Sequence, residues 1–142
     1  RRWAACKRAL GGKSLATLHL MVGLPCSGKT TLAKQLEQER SALRLTPNEK
    51  IASRALELGT NVILDFGFWA KEEREEYRLR AERLGASSEV HFLDVPKEEL
   101  LRRLAVRNSQ PSPESFHISE ESMIPWIEFF QRPTPEELER RE

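Results

Sequence analysis

Short apolar runs alternate with amphipathic patterns along most of the chain. Four runs have the length and composition of buried strands, at 18–22, 42–45, 61–65 and 90–93. Helical periodicity fills the stretches after them, over 31–37, 49–58 and 71–84 and from Pro96 onward. Strands that alternate with helices are typical of α/β proteins built on a parallel sheet. We therefore predict an α/β fold.

Two further helices are predicted near the end of the chain. Ser119 can cap a helix whose first turn carries two glutamates. Pro125 lies deep enough inside this helix to predict a kink or a restart. The sequence Thr134-Pro135-Glu136-Glu137 has the form of a capping box and predicts a last, polar helix.

The segment between the first strand and the first helix is Gly23-Leu24-Pro25-Cys26-Ser27-Gly28-Lys29-Thr30. Two glycines separated by four residues and followed by Lys and Thr form the pattern of a phosphate-binding loop, which also requires the flanking strand and helix. Loop amides and the helix N-terminus cradle a polyphosphate, the lysine reaches its β- and γ-phosphates, and the threonine ligates Mg²⁺. The alternative is a glycine-containing turn that binds nothing. We predict binding of ATP and Mg²⁺ by Gly23, Leu24, Pro25, Cys26, Ser27, Gly28, Lys29, Thr30 and Thr31.

Asp65 ends the third apolar run, Asn61-Val62-Ile63-Leu64-Asp65, which has the Walker B form. A carboxylate at the end of a strand beside the phosphate loop can hold Mg²⁺ or its waters. Asp65 is therefore predicted as a metal ligand together with Thr30, and as a catalytic residue together with Lys29. The alternative is that Asp65 only caps the helix that follows.

A kinase that acts on a hydroxyl needs a carboxylate near the acceptor. The turn after the second strand contains Asn48 and Glu49, and ligands of open parallel sheets bind beyond the carboxyl ends of the strands. Glu49 is the predicted catalytic base, since Asn48 has no basic oxygen.

Arg103 and Arg107 lie four residues apart on the helix that begins near Pro96. Such a pair can close over a triphosphate and stabilise charge on the transferred group. The alternative is a solvated arginine pair. The polar segment that follows carries two prolines and is typical of a lid, so we predict a lid at about 103–118 and catalytic roles for both arginines.

Several other residues are interpreted as structural. His19 and His91 fall inside predicted strands, away from the carboxyl ends, and are assigned to packing or to a sheet edge. Phe66 is assigned to the core, whereas Phe68 and Trp69 could belong to the core or to a substrate pocket. The many charges of the helix over 71–84 are interpreted as a solvated face.

Composition limits the classes of function. The net charge of +1 gives no reason to expect nucleic acid held by bulk charge, so nucleic acid is not favoured as a partner. Two cysteines favour a reducing compartment, and no apolar run approaches the roughly 20 residues that span a bilayer. We predict a cytoplasmic monomer or loose dimer without a membrane segment, with an extension over 1–16 and one domain over 17–142.

Five motifs together resemble the small kinase-like ATP-binding proteins of the P-loop class. Besides the phosphate loop they are Arg44-Leu45-Thr46-Pro47-Asn48-Glu49, Leu64-Asp65-Phe66-Gly67-Phe68-Trp69, Leu93-Asp94-Val95-Pro96 and Arg107-Asn108. This branch is often labelled AAA-family ATPase and is similar to polynucleotide 5′-kinase, chloramphenicol phosphotransferase and zeta toxin. The resemblance covers about Thr17 to Glu137.

The resemblance implies a three-layer αβα P-loop fold with four or five parallel strands in the order 2-3-1-4. It also implies phosphate transfer from ATP, with Mg²⁺, to a hydroxyl. Asn48 departs from the family pattern, because similar kinases have at this position an Asp that acts on the acceptor. The region between the second and third strands is also shorter, which leads us to expect missing residues and a break in the chain between Lys50 and Ile51.

Two functions are consistent with these motifs. The first is a kinase that transfers the γ-phosphate of ATP to an unidentified hydroxyl acceptor, a small molecule or a nucleic acid. The second is a nucleotide-binding regulatory or switch module without phosphotransferase activity, in which ATP orders the lid for a partner to recognise. Asn48 is the feature that favours the second.

Overall fold

A computed structural model of the protein describes residues 16–45, 49–110 and 117–141. Within these ranges the chain forms an α/β fold with the following elements in order: β1 (Thr17–Val22), α1 (Lys29–Arg40), β2 (Ala42–Leu45), α2 (Glu49–Glu57), β3 (Asn61–Gly67), α3 (Lys71–Arg83), β4 (Ser87–Phe92), α4 (Lys97–Ser109) and α5 (Glu120–Phe129). Among the described helices, none has the length and apolar character needed to cross a membrane.

The four strands form one parallel sheet in the order β2-β3-β1-β4. The predicted three-layer α/β fold and its strand order are therefore confirmed. In register, Leu20 of β1 pairs with Leu64 of β3 and with Val90 of β4. The segments that follow β1 and β3 consequently leave the sheet side by side at the same edge, where parallel sheets bind their ligands.

Side chains of the central strands alternate between the two faces of the sheet. Leu18 and Leu20 pack into a cluster with residues of α2 and α3, and Met21 packs against α1 on the other face. A third cluster joins Leu24 of the phosphate loop to Leu100 of α4 and Met123 of α5. The loop is therefore held by its own apolar contacts against the last two helices.

The predicted solvated face of α3 is wrong at two positions, since Arg74 and Arg78 are each only 1% exposed. Arg74 Nε lies 3.1 Å from a carboxylate oxygen of Glu137, and its Nη1 donates to the Phe68 carbonyl at 2.8 Å. Arg78 donates to the Ser88 hydroxyl and to carbonyl groups of the C-terminal segment. Burial is tolerated because neighbouring segments and the distant C-terminal segment together supply acceptors to both guanidinium groups.

The C-terminal segment forms a turn where a last helix was predicted. Thr134 Oγ1 accepts from the Glu137 N–H at 3.3 Å, as a cap would, but the helix does not continue. The chain instead pairs Arg141 with Ser88 in an antiparallel bridge beside β4. The Glu137 carboxylate and carbonyl are held by Arg74 and Arg78, and this competes with helical hydrogen bonding.

Two other expectations concerned chain continuity. The helix α5 runs from Glu120 to Phe129 through Pro125, with Ser119 as the predicted cap, so of the predicted kink or restart the restart is wrong. The helix α2 runs without a break through Lys50 and Ile51, so the expected interruption there is wrong.

Candidate nucleotide-binding site

The phosphate loop joins β1 to the N-terminus of α1. Gly28 is the N-cap of this helix and has a φ of 97°, a left-handed conformation that favours glycine. Because glycine has no side chain, it provides no side-chain capping hydrogen bond to the first turn. Cys26 also has a positive φ, 69°. The first amides of α1 are thus left to a ligand, and an anion is the ligand that a helix N-terminus favours.

Ser27 and Gly23 together make a cradle inside the loop. Ser27 is 3% exposed, and its hydroxyl has no hydrogen-bond partner among the described residues. A Cβ at position 23 would lie 2.6 Å from that hydroxyl, so only glycine fits there without displacement. A buried hydroxyl without a protein partner can be satisfied by a bound ligand, and glycine at position 23 leaves the room that this hydroxyl occupies. The pair therefore fits an anionic ligand such as a phosphate.

Lys29 is the first residue of α1 and points back into the loop. Its Nζ donates to the Leu24 carbonyl at 2.9 Å, which uses one of the three donors of an ammonium. Burial lowers the pKa of Lys29, while the nearby carboxylate of Asp65 acts in the opposite direction. The ammonium therefore lies in a poorly hydrated position, where its attraction to an anion is strengthened.

Thr30 and Asp65 meet across the carboxyl edge of the sheet. Thr30 Oγ1 donates to Asp65 Oδ2 at 3.3 Å, although 35 residues separate them in sequence. The Asp65 side chain is 7% exposed, and Arg44 Nη1 lies 3.6 Å from the same carboxylate oxygen. A hydroxyl and a carboxylate are hard oxygen ligands, so the pair fits Mg²⁺.

Arg44 was not predicted as a site residue. The sequence pointed to Arg44 only as the first residue of the motif Arg44-Leu45-Thr46-Pro47-Asn48-Glu49. The pairing of the strands was needed to show that Arg44 contacts Asp65. Because β2 pairs with β3 in parallel, Arg44 lies opposite Ile63, on the strand that carries Asp65.

Arg103 and Arg107 of α4 both reach the phosphate loop. Arg103 Nη1 donates to the Cys26 carbonyl at 3.1 Å, and its Nε lies 3.1 Å from a carboxylate oxygen of Glu99. Arg107 Nη1 lies 3.9 Å from the Cys26 sulfur. The two predicted arginines thus face the loop, with Glu99 orienting one of them.

The predicted acceptor side is described only in part. Glu49 is the first residue of α2, but its side chain and all of Asn48 lie outside the described residues, as does 111–116 of the predicted lid. The segment after that gap is tied back to α4, since Asn108 Nδ2 donates to the Ile118 carbonyl at 2.7 Å. The roles assigned to Glu49 and to the lid stay predictions.

The end of β3 fastens the start of the loop, a connection that the sequence did not reveal. The Gly23 N–H donates to the Gly67 carbonyl at 3.0 Å, and Trp69 Nε1 donates to the Gly23 carbonyl at 3.2 Å. A Cβ on Gly67, whose φ is 88°, would lie 2.9 Å from that indole nitrogen. Trp69 is therefore a support of the loop, and Phe68, 1% exposed, belongs to the core.

A cavity of about 210 Å³ lies beside the loop and beyond the end of β4. Leu24 and Ser27 line its loop side, and Leu100 and Phe130 line its helical side. Arg132, which is paired with Asp94, also borders the cavity. Because Leu24 and Ser27 of the loop border the cavity, a ligand bound by the loop has mostly apolar space next to it.

Comparison with known protein families identifies the family to which this chain belongs. The family model described as "AAA domain" matches residues 18–52 and 48–133, which together cover most of the chain. The chain belongs to the AAA domain family. No curated protein sequence matches it. Family membership, together with the loop geometry, supports nucleotide binding by this AAA domain protein.

Several solved structures share this fold, among them a gluconokinase and a sugar kinase. A chain of the Pnkp1/Rnl/Hen1 RNA repair complex matches with a TM-score of 0.68 and 20% sequence identity. The match covers 82% of this chain but only 44% of the chain from the complex. Kti12 of Chaetomium thermophilum, in complex with ADP-AlF3, matches with a TM-score of 0.63 and 22% identity over 84% of this chain and 82% of that one. A gluconokinase of Sinorhizobium meliloti 1021 matches with a TM-score of 0.65 and 14% sequence identity. The match covers 89% of this chain and 81% of the gluconokinase chain. At these identities the likeness shows the shared fold.

Proposed function

We propose that this AAA domain protein binds Mg·ATP and transfers the γ-phosphate to a hydroxyl of a small molecule or a nucleic acid. The observation that carries the proposal is the contact of Thr30 with Asp65 next to the ammonium of Lys29. Hydroxyl, carboxylate and ammonium at one end of a phosphate loop are the groups that phosphoryl transfer requires, because the enzyme's main task there is to position and neutralise charge.

Lys29 and Ser27 bind and orient the triphosphate in this proposal. The amides at the start of α1 and the buried Ser27 hydroxyl donate to phosphate oxygens, and Lys29 donates from an ammonium already turned into the loop. Thr30 and Asp65 would hold Mg²⁺, which when bound neutralises charge on the β- and γ-phosphates.

Arg103 of α4 supplies further positive charge at Cys26 of the loop. Glu99 accepts from its Nε and leaves Nη1 directed at the Cys26 carbonyl. A guanidinium fixed at this place can stabilise the charge that develops on the transferred phosphoryl group. Arg107, close to the Cys26 sulfur, would act beside it.

Asn48 is the specific feature that favours a second candidate, a nucleotide-binding switch. In the kinases that the chain resembles, an Asp at this position acts on the acceptor hydroxyl, and an amide cannot accept a proton in its place. In the switch, ATP would be bound by the same loop and read by a partner, with no acceptor phosphorylated.

An acceptor screen separates the two candidates. The protein is incubated with Mg²⁺ and ATP labelled at the γ-phosphate, in the presence of nucleosides, RNA and DNA 5′ ends, sugars including gluconate, aminoglycosides or chloramphenicol. The kinase predicts transfer of label to one acceptor class, and loss of that transfer by at least about 100-fold in Asp65→Asn. ATP binding or hydrolysis with no labelled acceptor in any class would contradict the kinase and favour the switch.

Arg103→Ala is expected to lower the rate of phosphate transfer, or of ATP hydrolysis, by about 100-fold, with a smaller change in ATP affinity. Arg102→Ala is the matched control, because Arg102 lies on the same helix and pairs with the same Glu99 but is 65% exposed. Single-turnover rates and nucleotide titrations measure both variants. Equal rates for the two would remove Arg103 from the proposed mechanism.

A further inference from the structure

Two histidines and a glutamate form a cluster at the β1–β4 pair, separate from the phosphate loop. His19 Nδ1 lies 2.9 Å from His91 Nε2 and 3.2 Å from Glu89 Oε2. His91 Nε2 lies 3.7 Å from the same carboxylate oxygen. Three potential metal-ligand atoms from three residues thus converge on one point.

The strand register explains why these side chains meet. His19 pairs with Glu89 and Met21 pairs with His91 across the parallel strands, so all three ligand residues project from the same face of the sheet. His19 lies four residues before Gly23, which corresponds to about 13 Å along a strand. The cluster is therefore distinct from the Thr30 and Asp65 pair that would hold Mg²⁺.

We propose that His19, Glu89 and His91 form a binding site for a zinc ion or a similar divalent transition metal. Tetrahedral zinc with bonds of about 2.1 Å places its ligand atoms about 3.4 Å apart. The three distances here, 2.9, 3.2 and 3.7 Å, lie on both sides of that value. Two imidazoles and one carboxylate are also a ligand set that zinc uses, with a fourth position left for water.

Burial keeps the cluster in the form that binds metal. His19 is 2% exposed, whereas the His91 and Glu89 side chains are 23% and 22% exposed, which leaves one side of the cluster open to solvent. Burial lowers the pKa of His19 to about 4 and also lowers the pKa of His91. Burial thus favours the neutral imidazole, which is the form that binds metal.

Charged neighbours hold the carboxylate in place. Arg140 Nη1 lies 3.2 Å from Glu89 Oε1 and its Nη2 donates to Thr17 Oγ1 at 3.2 Å, so the second oxygen, Oε2, faces the imidazoles. Arg40, at the end of α1, is a second cation near the cluster, and it lowers the pKa of both histidines. A carboxylate oriented by an outer partner is a usual feature of metal sites.

The alternative for the same geometry is a pair of imidazoles that share one hydrogen bond, with Glu89 accepting from either. Such a pair needs no metal. The two arrangements differ in their response to zinc, so metal binding distinguishes them directly.

The test is a zinc titration of the full chain by calorimetry. The solution contains excess Mg²⁺, which competes with zinc at Thr30 and Asp65, and it contains no nucleotide. All proteins carry Cys6→Ser and Cys26→Ser, which removes thiol binding. We expect one zinc per chain. Zinc affinity should fall at least about 100-fold in His91→Ala and in Glu89→Gln, because loss of a group that only hydrogen-bonds to a metal ligand already lowers metal affinity up to about 100-fold. His117→Ala, which removes the exposed third histidine, should bind zinc like the parent.

Thermal unfolding provides a second measurement that does not depend on phosphate transfer. Zinc should raise the Tm of the parent and of His117→Ala, and EDTA should reverse the rise, because a ligand of the folded state stabilises it. Glu89→Gln keeps the size of the side chain, and circular dichroism checks that each variant is folded. Failure of the folded parent to bind zinc, or equal binding by the parent, His91→Ala and Glu89→Gln, would overturn the proposal while leaving the phosphate-loop function untouched.

Discussion

Replacing Lys29 by alanine is expected to lower the rate of ATP turnover by about 1,000-fold and to weaken Mg·ATP binding by at least about 10-fold. The Lys29 side chain is partly buried, its ammonium is already oriented by the Leu24 carbonyl, and the carboxylate of Asp65 lies nearby. The variant loses the ammonium that points into the loop. The loop amides and the Ser27 hydroxyl are neutral donors and cannot replace its charge at the β- and γ-phosphates.

Lys34→Ala is the control for this prediction. Lys34 lies on the same helix and carries the same charge, but its side chain is exposed to solvent. Calorimetry with Mg·ATP and single-turnover measurements compare the two variants with the parent. If Lys29→Ala binds and turns over ATP like Lys34→Ala, the phosphate loop is not the nucleotide site and the proposed function fails.

Replacing Arg78 by alanine is expected to lower the free energy of unfolding by about 3 kcal/mol. Arg78 is 1% exposed and donates to the Ser88 hydroxyl at 3.0 Å, to the Glu137 carbonyl and to the Glu139 carbonyl at 2.7 Å. Alanine would leave buried acceptors without donors and would release the C-terminal segment from β4.

Urea unfolding of the parent and the variant measures this effect. Arg83→Ala is the control, because Arg83 lies in the last turn of the same helix but is exposed, and its replacement should change the unfolding free energy by less than about 0.5 kcal/mol. Similar urea midpoints for the two variants would show that the buried guanidinium does not hold the C-terminal segment in place.

The phosphate loop was predictable because its information is local. The glycine spacing, the lysine and the threonine all lie within eight consecutive residues, and the apolar run before them and the amphipathic pattern after them supply the required context. The run that ends at Asp65 was likewise readable from its strand pattern. Family resemblance added the strand order, which local patterns alone do not contain.

The wrong predictions, the solvated face of α3 and the last helix, share one physical cause, which is that distant parts of the chain determine these contacts. The charges of α3 form a pattern typical of a solvated face, yet Arg74 and Arg78 are buried, because acceptors more than 55 residues away fold against them. The capping box at Thr134 is present as a single turn, since Glu137 is used by those arginines. Local patterns cannot show which distant groups will compete for a hydrogen bond.

The sequence by itself determined that this protein has a phosphate loop on a strand–helix junction, with a carboxylate at the end of a later strand. Only the tertiary structure decided which groups meet: Thr30 with Asp65, Arg103 with the Cys26 carbonyl, Trp69 with Gly23, and His19 with Glu89 and His91. The physical reason is that each of these contacts depends on strand register or on helix packing, and both are set by burial of apolar surface across the whole sheet.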